Sequence, residues 1–399
     1  MLAGTVVSLL RQPGAGALST LWAEDGQVFL SEAARYGPLA AFAHSYAGYF
    51  HLVPRLLAAP AAVLPAGWAA AVVSGSAALC TALVALLVYV ASGEHLSAPL
   101  SRLLVSAVVV LVPLGQDDVL NSIANLHWYG LYALFWVLVW TPRGRAGQVL
   151  GAVVVLLVAG SDILAVGYLP LAAFRAVRRP AGRDRERYAT VLAGLLALGL
   201  AVQVAGLLTG SSSRTLAPNP VRALTGYAAR AVPDALLGQR FVGTRVDRHA
   251  LVLAAVAWLL LGCAAAVALL ARRTGLVRPA WPLAVAAALH SVALYVLPVV
   301  LSGVATPRYA VAPAMLLVTA LAAVLQPARS RVPLYLLAAL LAVVCVVNLR
   351  VHNARADGPR WGGALDRARH ACASGARTVD VPVPPSGSTV RLPCGYVRP

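Results

Sequence analysis

Residues 67–91 read GWAAAVVSGSAALCTALVALLVYVA, a stretch with no charged side chain and no strand-like alternation. A helix needs about 20 such residues to cross a bilayer. Runs of the same kind recur at 99–115, 123–140, 147–159, 163–176, 188–209, 250–270, 279–301, 309–326 and 332–349. Helices satisfy their own backbone hydrogen bonds in lipid, and the other spanning solution, a closed barrel, needs alternating segments of ~10 residues. The sequence therefore predicts an all-α polytopic membrane protein with about 10 membrane helices. The short runs 147–159 and 163–176, joined by Gly-Ser-Asp at 160–162, are expected to form a broken or re-entrant pair.

Composition agrees. Of 399 residues, 60% are hydrophobic and only 12% charged, about half the ~25% of a soluble domain. The formal net charge is +18, yet all 32 basic residues are Arg and none forms a block interleaved with aromatics. The densest run, RAVRRPAGRDRER at 175–187, sits between two apolar spans as a cytoplasmic loop does. Nucleic acid is not an expected partner.

The positive-inside rule sets the orientation. With the C-terminus outside, the short inner segments hold 14 Arg, while the short outer connections 116–122, 160–162 and 302–308 hold only Arg308. Of 14 acidic residues, only Glu94, Asp184 and Glu186 fall inside. The predicted layout is a membrane domain over 1–349, with a first outer loop 11–66 and a long outer loop 210–249, followed by an extracytoplasmic tail 350–399. MLAGTVVSLL at the start is too short to span and reads as the stub of a first membrane helix.

Cys80, Cys263 and Cys345 lie in apolar spans as small core residues. Cys372 and Cys394 lie in the tail, 22 residues apart, around the alternating runs TVDVPV and STVRL. They are expected either to close a small β-rich loop as a disulfide or to remain unpaired thiols.

Polar residues gather on the predicted outer side. WAEDGQVF (22–29) carries Glu24 and Asp25; YAGYFHLVPRL (46–56) carries His51 and Arg55. GQDDVLNSIANLHWYG (115–130) carries Asp117, Asp118, Asn121, Asn125 and His127; GSD carries Asp162; TPRYAVAP (306–313) carries Arg308. The carboxylates read either as helix caps or as a cavity base and acceptor-binding groups. With the Asn oxygens they also suit a divalent cation, Mg or Mn, better than zinc. If 117–129 is helical, Asp118, Asn121, Asn125 and Trp128 share one face, with His127 rotated away; His127 is equally readable as an interfacial ring. Arg308 and Arg55 offer planar forks for phosphate, or snorkel to headgroups. His290 reads as a satisfied bundle histidine. No Walker loop, dinucleotide fingerprint, nucleophile elbow or Cys/His metal spacing occurs.

AEDGQVFL, GYFHLVPRL, NLHW and RYAVAP, with the acidic pair in a first outer loop and a many-helix bundle ending in an outer tail, resemble the GT-C superfamily of membrane glycosyltransferases, actinobacterial members included. That resemblance implies a cell-membrane, multi-pass enzyme that moves a sugar from a polyprenyl-phosphate carrier to an extracytoplasmic cell-envelope acceptor. It implies Asp25 or Glu24 as catalytic base. Asp117 or Asp118, with Asn121, Asn125 and His127 beside them, would hold the acceptor or a metal. Arg308, with Arg55 and His51, would hold the donor phosphate. Two rivals are a transporter or flippase of lipid-linked saccharides and a non-catalytic assembly protein. The first should show an internal repeat and midplane charges, and the sequence has neither.

Overall fold

The computed structural model describes residues 1–178, 183–209, 217–242 and 247–398, with no side chains for 183–185. The middle of the Arg-rich run 175–187 lies outside these residues, as do 210–216 and 243–246 of the long loop. Each of the ten apolar runs contains a helix. Five helical stretches are long and apolar enough to cross a membrane: Ala66–Glu94, Glu186–Thr209, Arg248–Arg273, Trp281–Ser302 and Pro307–Val324. They leave Leu83, Leu198, Leu259, Leu270 and Leu289 exposed, an apolar belt that a water-facing surface rarely carries.

The remaining apolar helices are shorter, for identifiable reasons. His127–Val139 is apolar on every side because it is the centre of the bundle, with Trp128 through Val139 enclosed apart from Gly130. Among its buried polar groups Tyr132 is satisfied, donating to the Val105 carbonyl at 2.8 Å and lying 2.8 Å from Thr319 Oγ1, while the Trp128 and Trp136 indole N–H groups are enclosed without a partner. Pro99–Leu111 stops before Pro113, after which residues 112–126 run as turns rather than as the helix the sequence pattern allowed. Gly115 at φ +74° and Asn121 at φ +55° are left-handed, a conformation that breaks helical continuation. The four polar positions 118, 121, 125 and 128 therefore do not form one helical strip.

Within the long loop, 217–242 is not an open excursion. Pro220–Gly226, Tyr227–Ala231, Val232–Leu236 and Gln239–Val242 are helical turns, and all of Val232–Leu236 is buried. The tail is likewise part of the body. Strands Thr378–Val383 and Ser388–Pro393 pair antiparallel, Val381 opposite Val390, and a Cys372–Cys394 disulfide ties the preceding helix Trp361–Ala373 to the hairpin's end. The hairpin covers the acidic segment: Gln27 Nε2 donates to the Thr389 carbonyl at 3.1 Å and Ser31 Oγ to the Arg391 carbonyl at 2.7 Å. Gly26 is required there, since a Cβ would stand 2.4 Å from Val390 Cγ2. Arg355, 1% exposed, donates to the carbonyls of Ala17, Thr20, Leu120 and Asn121 and to the hydroxyls of Thr20 and Ser74. It fastens the tail, the first loop and the 112–126 turns together.

Candidate active site

Residues Asp25–Leu30 wind as a wide π-type turn, a form common at functional sites. It sends two adjacent carboxylates in opposite directions. Asp25 faces inward and is 0% exposed. Its Oδ1 accepts from Ser122 Oγ at 2.9 Å and Ala124 N–H at 2.8 Å, and its Oδ2 from Ile123 N–H at 3.3 Å. Burial pushes its pKa up to about 7, against the opposing pull of the Ala124 amide, Arg355 and Ser122.

Glu24 faces the other way, into a cavity of about 440 Å³. Its Oε1 stands 3.7 Å from Arg308 Nη1, an ion pair too long for a hydrogen bond, and its Oε2 is enclosed without a partner. Buried polar atoms are almost always hydrogen-bonded, so an unmet carboxylate oxygen at a cavity wall needs a reason.

Arg308 comes from the turn that opens the helix Val311–Val324, and its Nη1 donates to Asp118 Oδ2 at 3.1 Å. Burial works against the guanidinium charge, and the two carboxylates beside it, Asp118 and Glu24, offset that cost. Burial pushes Asp118 up to about 6 despite the guanidinium beside it. One cation thus stands between two carboxylates, with part of its surface open to the cavity.

Opposite them, His127 begins the central helix. Its Nδ1–H donates to Asp162 Oδ2 at 2.6 Å, while Asp162 Oδ1 accepts from Leu164 N–H at 2.8 Å and caps the turn Ile163–Tyr168. A carboxylate on Nδ1 selects the tautomer in which Nε2 is an acceptor. His51 also lines the cavity, but its Nδ1–H is given to the Tyr49 carbonyl at 3.2 Å and its ring stacks on Tyr49. Burial drives its pKa down to about 3, so it stays neutral. Phe29, Tyr46, Trp128 and Tyr309 supply aromatic wall.

Of the residues singled out in the sequence, the structure brings Glu24, His51, Asn125, His127, Asp162 and Arg308 to one cavity, with Asp118 bonded to Arg308 behind it. Asn125 is held by donating to the Asp118 carbonyl at 2.9 Å. The others lie elsewhere. Arg55 is buried below the cavity, 2.8 Å from Glu32 and over the Phe29 ring, so its charge is matched internally. Asp117 accepts from Gln239 Nε2 at 2.6 Å, and Asn121 exchanges hydrogen bonds with Ser8. Asp117 and Asp118 thus serve different partners, and among the described residues no three His, Cys, Asp or Glu converge to hold a cation.

Sequence reasoning placed Asp162 among the polar clusters without its role as the partner of His127. It missed Glu32 and Arg355 altogether. Asp162 carried a usable signal, a capping residue directly before an apolar turn. Arg355 carried none, being one of 32 basic residues, all of them Arg.

Compared with known proteins, the chain is matched by no family model, no curated protein and no solved structure.

Proposed function

We propose that this chain is an integral membrane glycosyltransferase that moves a sugar from a polyprenyl-phosphate carrier to an acceptor on the outer face of the cell membrane. The observation that carries the reading is Glu24, a cavity carboxylate with an unpartnered oxygen beside Arg308, whose guanidinium lines the same cavity. The Arg asymmetry of the loops supports the outward placement of this end of the bundle. The apolar belt supports delivery of a lipid-linked donor within the membrane.

The chemistry divides between the two walls. The acceptor hydroxyl loses its proton to Glu24 as its oxygen bonds to the anomeric carbon of the sugar. The bond from that carbon to the phosphate oxygen breaks, and its electron pair leaves on the carrier phosphate. Arg308 meets the charge that grows there, held at a fixed position before reaction. His127, set by Asp162, offers Nε2 to an acceptor or sugar hydroxyl and orients it. The aromatic wall packs against the apolar faces of a sugar ring.

The test is transfer by purified protein in nanodiscs, with a panel of radiolabelled polyprenyl-phosphate sugars and cell-envelope glycan acceptors. Wild type should release the carrier phosphate and label the acceptor with one donor of the panel. Arg308→Ala should lower the rate about 10²–10³-fold, as loss of a charge-stabilising donor does elsewhere. Donor binding by wild type without any transfer, unchanged in Arg308→Ala, would defeat the assignment.

A further inference from the structure

A second cavity, also about 440 Å³, adjoins the first. His127 stands in the wall of both. From that ring the second cavity runs between the helices Ala69–Ala91, His127–Val139 and Arg145–Ala159, reaching Val90 and Leu150. Along the wall from Leu157 to Leu150 it follows one helix for roughly 10 Å.

Its lining is apolar except for His127, Ser161 and the Cys80 thiol. Ser161 is already satisfied, accepting from Val53 N–H at 2.8 Å and donating to the Leu157 carbonyl at 2.6 Å. The Nδ1 side of His127 is held by Asp162, so Nε2 is the ring edge left for a ligand. Leu83, Leu86, Val90 and Val153 are 43–49% exposed although they border this pocket. A sugar or free phosphate would lose its hydration against such walls and gain at most a hydrogen bond at His127. A hydrocarbon chain gains from every contact. The cavity that carries Glu24 and Arg308 and the apolar channel meet at one residue, which is the arrangement a single molecule with a charged head and a long tail requires.

We propose that the second cavity holds the isoprenoid tail of the molecule whose phosphate-bearing head lies beside Arg308, the two parts joining past His127. This rests on the polyprenyl-phosphate reading above, and it adds which helices carry the tail.

The experiment uses wild-type protein in nanodiscs and an isoprenoid phosphate with a diazirine in an early isoprene unit, adducts being mapped by mass spectrometry. Adducts are expected on the wall formed by Leu83, Leu86 and Val153. Excess unlabelled isoprenoid phosphate should suppress them and phosphatidylglycerol should not. Leu83→Trp and Val153→Trp, which fill the channel, should cut labelling about tenfold. The same variants should leave binding of a two-isoprene glycosyl phosphate, confined to the first cavity, unchanged. Adducts elsewhere, or equal suppression by phosphatidylglycerol, would overturn the channel and leave the transferase reading standing. If the short glycosyl phosphate does not bind while selective channel adducts persist, the transferase reading falls and the channel stands.

Discussion

Two acidic pairs, Glu24-Asp25 and Asp117-Asp118, look alike in the sequence and are divided alike in the fold. In each, one carboxylate is taken up by the scaffold and the other reaches Arg308. They differ in depth. Asp25 is fully enclosed and gathers three donors from 122–124, whereas Asp117 is half-buried and takes one amide, from Gln239. Asp25 grips the chain only a few residues after Asp118, so it sets how far Glu24 stands from Asp118 across the guanidinium. In each doubled charge one member braces the chain, and its neighbour is turned toward the guanidinium of Arg308.

The largest expected effect breaks that division directly. Glu24→Gln keeps size and shape but removes the proposed base, and should lower transfer by ~10²–10⁴-fold with an unchanged melting temperature. Asp25→Asn should do the reverse. It turns an amide donor toward groups that are themselves donors, at a cost of about 1–3 kcal/mol. The melting temperature should fall while the rate per folded molecule is largely kept. Initial rates normalised to folded protein, with melting curves in the same detergent, check both. A rate lost in Asp25→Asn and kept in Glu24→Gln would return the base to Asp25.

This division marks what the sequence could convey. The ten apolar runs and the hairpin were legible, because spanning hydrophobicity and alternation are local signals, while the Cys372–Cys394 bond was only one of two readings the sequence left open. That Glu24, His51, Asn125, His127 and Arg308 share a neighbourhood was legible from their placement at one set of helix ends. Which of two adjacent carboxylates faces the cavity was not, since it depends on a π-type turn and on a hairpin more than 350 residues away covering Gly26. The helical strip expected over 117–129 failed for a similar reason. Its backbone donors at 123 and 124 are claimed by Asp25, a partner distant in the chain.

The next effect sharpens the comparison through pH. Burial puts Asp118 at about 6, so it is charged and competes for Arg308 above that pH and is neutral below it. An anionic ligand should therefore bind more tightly as pH falls through about 6. The gain should be roughly fivefold, from an ion pair of about 1 kcal/mol. A glycosyl phosphodiester is the right probe, because its own charge is constant over this range. Asp118→Asn should bind it as wild type does at low pH and remove the dependence. Tightening as pH rises would mean that Asp118 does not restrain Arg308.

The smallest effect concerns the other brace. Asp117 holds Gln239 at 2.6 Å, and Gln239 Oε1 in turn accepts from the Gln116 amide at 3.1 Å, so the pair ties the 112–126 turns to the segment 217–242. Asp117→Asn can still accept from Gln239 through its amide oxygen and, being half-exposed, leaves no donor stranded. The cost should stay near 0.5–1.5 kcal/mol, about that of one ordinary hydrogen bond. Transfer should be unchanged, because Asp117 is not part of the cavity wall. Melting curves and rates of the Asp117→Asn and Asp25→Asn proteins, taken side by side, measure the difference between a shallow brace and a deep one. Equal destabilisation would show that the two pairs are fixed alike, and that the three donors around Asp25 add nothing beyond one.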